Sequence, residues 1–528
     1  MFIDRKIELD LLDQRYRSNQ AELFVLYGRR RVGKTELLRA FCADKPHIFF
    51  IATLSSDLEQ LATFSQQVYG FTHADVPSGF TFPSWEAALR ALTELPMHPK
   101  PIIVLDEFTY LISGNKAIPS ILQKVWDETL KKSQIMLVLC GSYIGIMETE
   151  VLGYQAPLYG RRTASTLLRP MDLASSGLFF PDYSVEEKFI TWAVVGGMPH
   201  YLRTFQGGQD VLSNIRSHIL DAQNGTLFNE PRLLLMEELR EPRNYFSILR
   251  AIAQGRTRLN EIAQGARIGD VTTVARYLDI LQQMKLITRR VPATETQPEK
   301  SKKGIYQIDD HFLRFWFRYV HPNQSSLDLG LADAILQQRI KPDLDHFVAT
   351  AFEEAAITFT SHLAQAGELD FFPERIGGWW NRDTEIDVLA INLSEKIALV
   401  GYRTTEIRPD VPYLYSVRAG LRDEINKIAE HLVTVGITRL GLFHEDGPGA
   451  AALTAAVDEI AKRTGATITA RATYPAGTAR VSPAIDTFLK TPPQAIIMLA
   501  TGSAAAGFIE QYRLAGGAWP QATLLGWD

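Results

Sequence analysis

One stretch constrains this chain more than any other: ELFVLYGRRRVGKTELLRAF, residues 22–41. Its unbroken apolar opening has the composition of a strand buried on both faces. The run stops at a glycine, and the pattern Gly-x-x-x-x-Gly-Lys-Thr then leads into a segment whose leucines and phenylalanine recur at helical spacing. Strand, glycine loop and helix in that order gather backbone N–H groups and the positive end of a helix around one point, which is what phosphate oxygens require. Gly28 and Gly33 permit the close approach, and the backbone of Arg29, Arg30, Arg31 and Val32 completes the cradle. Lys34 would reach the outer phosphates, and Thr35 would offer its hydroxyl to Mg2+. The three arginine side chains either add charge to that site or are solvated; the sequence leaves both readings open.

A phosphate cradle calls for a second strand ending in a carboxylate, and KPIIVLDEFTYL, residues 100–111, supplies one. Asp106 at the strand end would hold the Mg2+ shell, and Glu107 would polarise an attacking water. A third apolar strand, QIMLVLCGS, ends at Ser142, placed to sense the terminal phosphate. PLYGRRT follows, where Arg161 or Arg162 would stabilise transition-state charge or simply face solvent.

At 528 residues the chain has room for about three or four domains. A formal net charge of -5 gives no general pull toward nucleic acid, so such binding would need a local basic face. Cys42 and Cys140 each lie in an apolar segment and read as two buried free thiols. The opening MFIDRKIELDLLDQRYRS lacks the apolar core of a secretion signal, and no run of 18 apolar residues occurs, so the expected location is the cytoplasm and no membrane partner is expected.

The segments FIDRKIELDLL, YGRRRVGKTELL, IIVLDEFTYL, LCGS and VVGGMPHYL together resemble the archaeal-type P-loop ATPases of the STAND class, relatives of AAA+ enzymes. The resemblance implies ATP and Mg2+ as cofactors, hydrolysis coupled to a regulated switch, and a helical lid in which Gly196, Gly197, Met198 and Pro199 have a structural role. The fold class expected is α/β multidomain: a P-loop parallel sheet with helical lid, a winged helix, and a carboxyl-terminal α/β region.

From Tyr245 three short amphipathic stretches, broken at QGRT and GARIGD, precede LITRRVP and GIYQIDD, the order of a helix-turn-helix with a wing. Residues 270–284 would form the reading helix, with Thr272, Thr273 and Arg276 toward its front and Lys302 and Lys303 at the wing tip suited to DNA phosphates. A solvated hairpin tip and an internal regulatory module are the competing readings. FLRFWFRYVHPN, residues 312–323, reads as an aromatic core seam.

In the resembling family the last domain is similar to restriction endonucleases, which need an acid on a helix, an Asp on one strand and Glu-x-Lys on the next. Glu353 and Asp387 match the first two, but Tyr402, Arg403 and Thr404 stand where Glu-x-Lys is required, so no nuclease activity is expected. After that point RLGLFHED, QAIIMLAT and the segments following them resemble part of a type I periplasmic solute-binding protein of the branched-chain amino-acid receptor group. A ligand held between two lobes is not enclosed by one partial lobe, so solute binding is not expected; the alternatives to the ATPase switch are a DNA-binding regulator or mobile-element-associated module in which nucleotide only sets conformation, and a solute sensor with this lobe as receiver. Exposed sheet edges there favour self-association. A join of two genes, or a second α/β unit completing the sheet begun by EIDVLAI, would each account for the change. The expected division is 1–170 ATPase core, 171–240 helical lid, 241–325 winged helix, 326–402 partial nuclease-like domain and 403–528 partial solute-binding lobe.

Overall fold

The apolar runs assemble into a five-stranded sheet: β1 (Glu22–Tyr27), β2 (His47–Ile51), β3 (Ile102–Asp106), β4 (Met136–Gly141) and β5 (Ala164–Leu167), in the order β2-β3-β4-β1-β5. All four pairings are parallel. This is a computed structural model, and it describes residues 2–515 except 240–241, 370, 382–384, 393, 395–396, 402–413, 417–424, 426–428, 431, 435, 448–449, 476–477, 479 and 501. Every residue of β3 and β4 is buried. Alternate side chains of each strand enter different cores: Phe24, Leu26, Val104 and Val138 lie in one, Leu23, Val25, Leu105 and Leu139 in the other. A parallel sheet covered by helices on both faces needs strands that are apolar throughout, and that is why these runs do not alternate.

The core containing Phe24 does not stop at the sheet. It continues through Met198 and Tyr201, through Leu249 and Leu278, and into Phe312 and Trp316. The boundaries expected at 170/171, 240/241 and 325/326 mark no break in it. The helices of these segments bury their apolar residues in the same core as the sheet. Two compact units result: 1–291 with 296–355, and 292–295 with 356–528.

Within the first unit, helices Pro242–Ala253, Leu259–Ala266 and Val271–Gln283 precede an antiparallel pair, β6 (Ile287–Arg290) and β7 (Ile305–Ile308). Asp270 caps the third helix, its carboxylate accepting from the Thr272 and Thr273 amides at 3.0 Å each. The aromatic run is a core seam: Phe312, Phe315, Trp316 and Phe317 are all 1% exposed or less, and the Trp316 indole N–H donates to the Phe228 carbonyl at 2.7 Å.

The second unit holds two sheets. In one, β8 (Arg375–Trp380), β9 (Glu385–Asn392) and β10 (Ile397–Gly401) pair antiparallel and β11 (Leu414–Ser416) pairs parallel to β10. In the other, β12 (Arg439–Asp446) lies between β13 (Thr467–Pro475) and β14 (Ala495–Leu499), all parallel, with helices Ala450–Thr464, Ser482–Lys490 and Gly502–Leu514. Among the described residues no strand of the second sheet pairs with the first, although β11, which lies beyond residue 403, adds a strand to the sheet begun by EIDVLAI. No described helix is long and apolar enough to cross a membrane.

Candidate nucleotide site

The glycine loop leaves the carboxyl end of β1 and enters helix Lys34–Cys42. A Cβ on Gly28 would sit 2.5 Å from the Leu168 carbonyl oxygen, so only glycine fits beside the chain that extends β5. Gly33 precedes the helix with φ 95°, a left-handed conformation that a Cβ disfavours. The GGMP turn packs against the same place: a Cβ on Gly197 would lie 1.7 Å from the Met171 carbonyl oxygen, and Pro199 is the nearest neighbour of the Gly33 Cβ position, at 3.7 Å.

Lys34 is 5% exposed, and its ammonium donates to the Gly28 and Arg29 carbonyls at 2.9 Å each. It therefore lies within the curve of the loop. The next residue joins the loop to β3: the Thr35 hydroxyl donates to Asp106 Oδ2 at 2.8 Å. Asp106 is 1% exposed, and its Oδ1 accepts the Glu107 amide at 2.9 Å. Glu107 stands at the start of helix Phe108–Gly114 with φ 51°, and the Ser142 hydroxyl at the end of β4 donates to its Oε1 at 2.6 Å. Its Oε2 is buried and has no hydrogen-bond partner among the described residues. A buried carboxylate oxygen left over in this way calls for a donor that the protein itself does not supply. Burial, with Asp106 close by, pushes the adjacent Cys140 thiol well above its usual range, and burial raises the Cys42 thiol to about 12; both cysteines are free.

Each of the three loop arginines is paired with a carboxylate, Arg29 buried, Arg30 half-buried and Arg31 exposed. Arg29 pairs with Asp310 at 2.6 Å, both nearly buried, and Asp310 caps the aromatic helix His311–Phe315. Arg30 pairs with Glu237, bonds the Tyr110 hydroxyl, and donates to the Tyr143 hydroxyl at 3.1 Å. Arg31 pairs with Glu230 and contacts His200 Nε2 at 2.6 Å. Glu230 and Glu237 both belong to helix Glu230–Glu238. Burial raises the Glu230 carboxyl above the usual range, outweighing the lowering by Arg31, with the Glu237 and Asp310 carboxylates adding to the rise. Burial, with Arg31 and Arg203 beside it, lowers His200. Sequence reasoning missed these three acids: nothing in the spacing of Glu230, Glu237 and Asp310 points to residues about 200 to 280 positions earlier.

Other expected site residues lie elsewhere. Arg161 is engaged by Asp127 at 2.9 Å and by the Pro157 and Tyr159 carbonyls, not by the loop or by Asp106, Glu107 or Ser142. Thr272 and Arg276 are exposed on helix Val271–Gln283, while the Thr273 hydroxyl donates to Asp270 at 2.6 Å. Lys302 and Lys303 are exposed between β6 and β7, and Arg289 of β6 donates to the Pro298 carbonyl at 2.9 Å and to the Ser301 carbonyl. Glu353 lies on helix Leu344–Ala366, with Arg290 4.0 Å away, and Asp387 lies half-buried on β9. Tyr402 and Thr404 fall outside the described residues. Among those described, no cluster of His, Cys, Asp and Glu forms a metal site built by the protein alone.

A parallel sheet, a glycine loop feeding a helix, and the Thr35–Asp106–Glu107–Ser142 line together define a P-loop ATPase domain. Comparison with known proteins agrees: residues 2–205 match the ATPase domain found predominantly in Archaea, residues 316–405 a family of archaeal and bacterial proteins of unknown function, and residues 377–528 the periplasmic binding proteins. The uncharacterized protein MJECL04 of Methanocaldococcus jannaschii is 34% identical over 402 residues, covering 76% of this chain and 86% of that protein. The chain belongs to the same family as that protein. The uncharacterized ATP-binding protein MJ0423 of the same organism is 51% identical over 45 residues, 8% of this chain and 76% of that protein. Among solved structures, the Walker-type ATPase PABY2304 of Pyrococcus abyssi is 23% identical with a TM-score of 0.45, covering 60% of this chain and 96% of that one. A periplasmic substrate-binding protein of Ralstonia solanacearum is 36% identical with a TM-score of 0.20, over 21% of this chain and 32% of its own.

Proposed function

We propose that the chain binds ATP with Mg2+ at the glycine loop, hydrolyses it, and uses the nucleotide state to reposition the helical lid and the three-helix segment behind it, read as a winged helix. The observation that carries this reading is the hydrogen-bonded line from Thr35 through Asp106 and Glu107 to Ser142, with one buried Glu107 oxygen left over. The donors fit the group: a hydroxyl and a carboxylate are the hard oxygen ligands that Mg2+ takes. Thr35 and Asp106 would hold it, and it would supply neutralisation of phosphate charge. Lys34 would exchange the Gly28 and Arg29 carbonyls for phosphate oxygens. Glu107 would accept a proton from water at Oε2, while Ser142 keeps the other oxygen fixed.

The loop arginines support a switch over rapid turnover, because each is already held by a carboxylate that a triphosphate has to compete with. For the nuclease-like segment we infer no cutting activity, since Tyr402 and Thr404 supply neither the carboxylate nor the lysine of the pattern. The test is calorimetry with Mg-ATP beside phosphate release, on wild type, Glu107→Gln and Lys34→Ala. Glu107→Gln should bind within about twofold of wild type and release phosphate on the order of a hundredfold more slowly. Lys34→Ala should lose the uptake that belongs to the glycine loop. Equal release by wild type and Glu107→Gln would remove hydrolysis and leave the nucleotide as a ligand that only sets conformation.

A further inference from the structure

A cavity of about 450 Å³, lined by no residue of the glycine loop, lies between helix Glu230–Glu238, helix Pro242–Ala253 and the aromatic segment. Its charge is one-sided. Arg232 lines it from the first helix, and Arg243 and Arg250 line it from the second, seven residues apart and hence on one face, with Phe246 between them. No ion pair ties any of the three arginines to a carboxylate, and no acidic residue lines the cavity, among the described residues. The inner wall is aromatic: the Phe246 ring lies 6.4 Å from Trp316 and 6.2 Å from His321, and Trp316 is pinned by its bond to Phe228. His321 Nδ1 is buried without a hydrogen-bond partner among the described residues. Burial, with the charges of Arg250 and Arg232, lowers the His321 imidazole.

Guanidinium groups converging on one cavity without a counter-charge repel one another and are satisfied together by a multiply charged anion. Their planar forks match phosphate in a bidentate fashion. The cavity volume falls within the roughly 300–1,000 Å³ of small-molecule sites, and a half-buried ring on its wall suits a flat apolar group beside the phosphates. We propose that this cavity is a second anion site, taking a ring-bearing phosphate compound of the nucleotide class independently of the glycine loop.

The site is separated from the loop by working in the full-length Lys34→Ala protein and titrating ADP, with a short single-stranded DNA as the second arm. The Lys34→Ala chain should bind ADP, and adding Arg243→Ala with Arg250→Ala should weaken that binding by about tenfold or more, while the double lysine replacement recovers only part of it. Arg232→Ala, exposed and on a different helix, is the independent variant and should weaken ADP several-fold with an unchanged melting curve. No ADP uptake by Lys34→Ala, or uptake indifferent to all these arginine changes, overturns the site. DNA binding tighter than ADP and lost with the same arginines overturns the ligand class. Because Lys34 is already removed, a failure of the loop assignment leaves this result readable.

Discussion

Glu107 is fixed at one oxygen and unsatisfied at the other, and the residue doing the fixing is Ser142. That bond comes from the end of a neighbouring strand, so it sets the direction of the carboxylate without contacting a phosphate through the same proton. Ser142→Ala would leave both Glu107 oxygens without a donor among the described residues, at a scale of about 1–3 kcal/mol for an unmade buried bond. Phosphate release should fall by about tenfold, the equivalent of about 1.4 kcal/mol, while Mg-ATP affinity by calorimetry stays within about twofold. A matching loss in affinity would place Ser142 on the nucleotide instead. Sequence made Asp106, Glu107 and Ser142 legible because each ends an apolar run, and strand ends are where a parallel sheet displays polar groups. It could not show which oxygen Ser142 holds, or that Arg161 is engaged by Asp127, because those depend on where loops return in space.

Helix Glu230–Glu238 acts as a unit. Glu230 and Glu237 are seven positions apart, two turns along one face, and each takes a loop arginine. Arg232 stands on a different face and reaches the cavity. The loop arginines are therefore shared between the phosphate site and an element far along the chain. If the carboxylates compete with phosphate for them, Glu237→Gln should tighten Mg-ATP by about threefold, since a half-exposed pair is worth about 0.2–1 kcal/mol. Calorimetry at low salt reads this directly. Weaker binding would mean that the pair instead shapes the loop for its ligand. The helix itself was only vaguely legible, because its apolar residues belong to a core shared with the sheet and its charged ones answer to partners distant in sequence. By contrast β1, β3, β4 and helix Lys34–Cys42 were readable outright, since their patterns are set by burial within local segments.

At the scale of the whole chain, every residue of the nucleotide site, of the arginine contacts and of the cavity lies in the unit formed by 1–291 and 296–355. The apolar cluster behind the site ends at Phe347, and the α/β sheet of β12, β13 and β14 has its own two clusters, around Phe443 and around Leu442. Cores without shared side chains unfold as separate cooperative steps. The full-length protein should accordingly melt in more than one transition in scanning calorimetry. Mg-ATP at a hundred times its dissociation constant should raise only the one belonging to the first unit, through a stabilisation of about 2.7 kcal/mol. A chain ending at Gly401 keeps all of that unit, so it should retain the nucleotide-shifted transition and bind Mg-ATP within about twofold of the full length. If ATP moved every transition together, or if the shortened chain lost its uptake, the carboxyl-terminal region would be a working part of the ATPase, and the separation of cores would not be a separation of function.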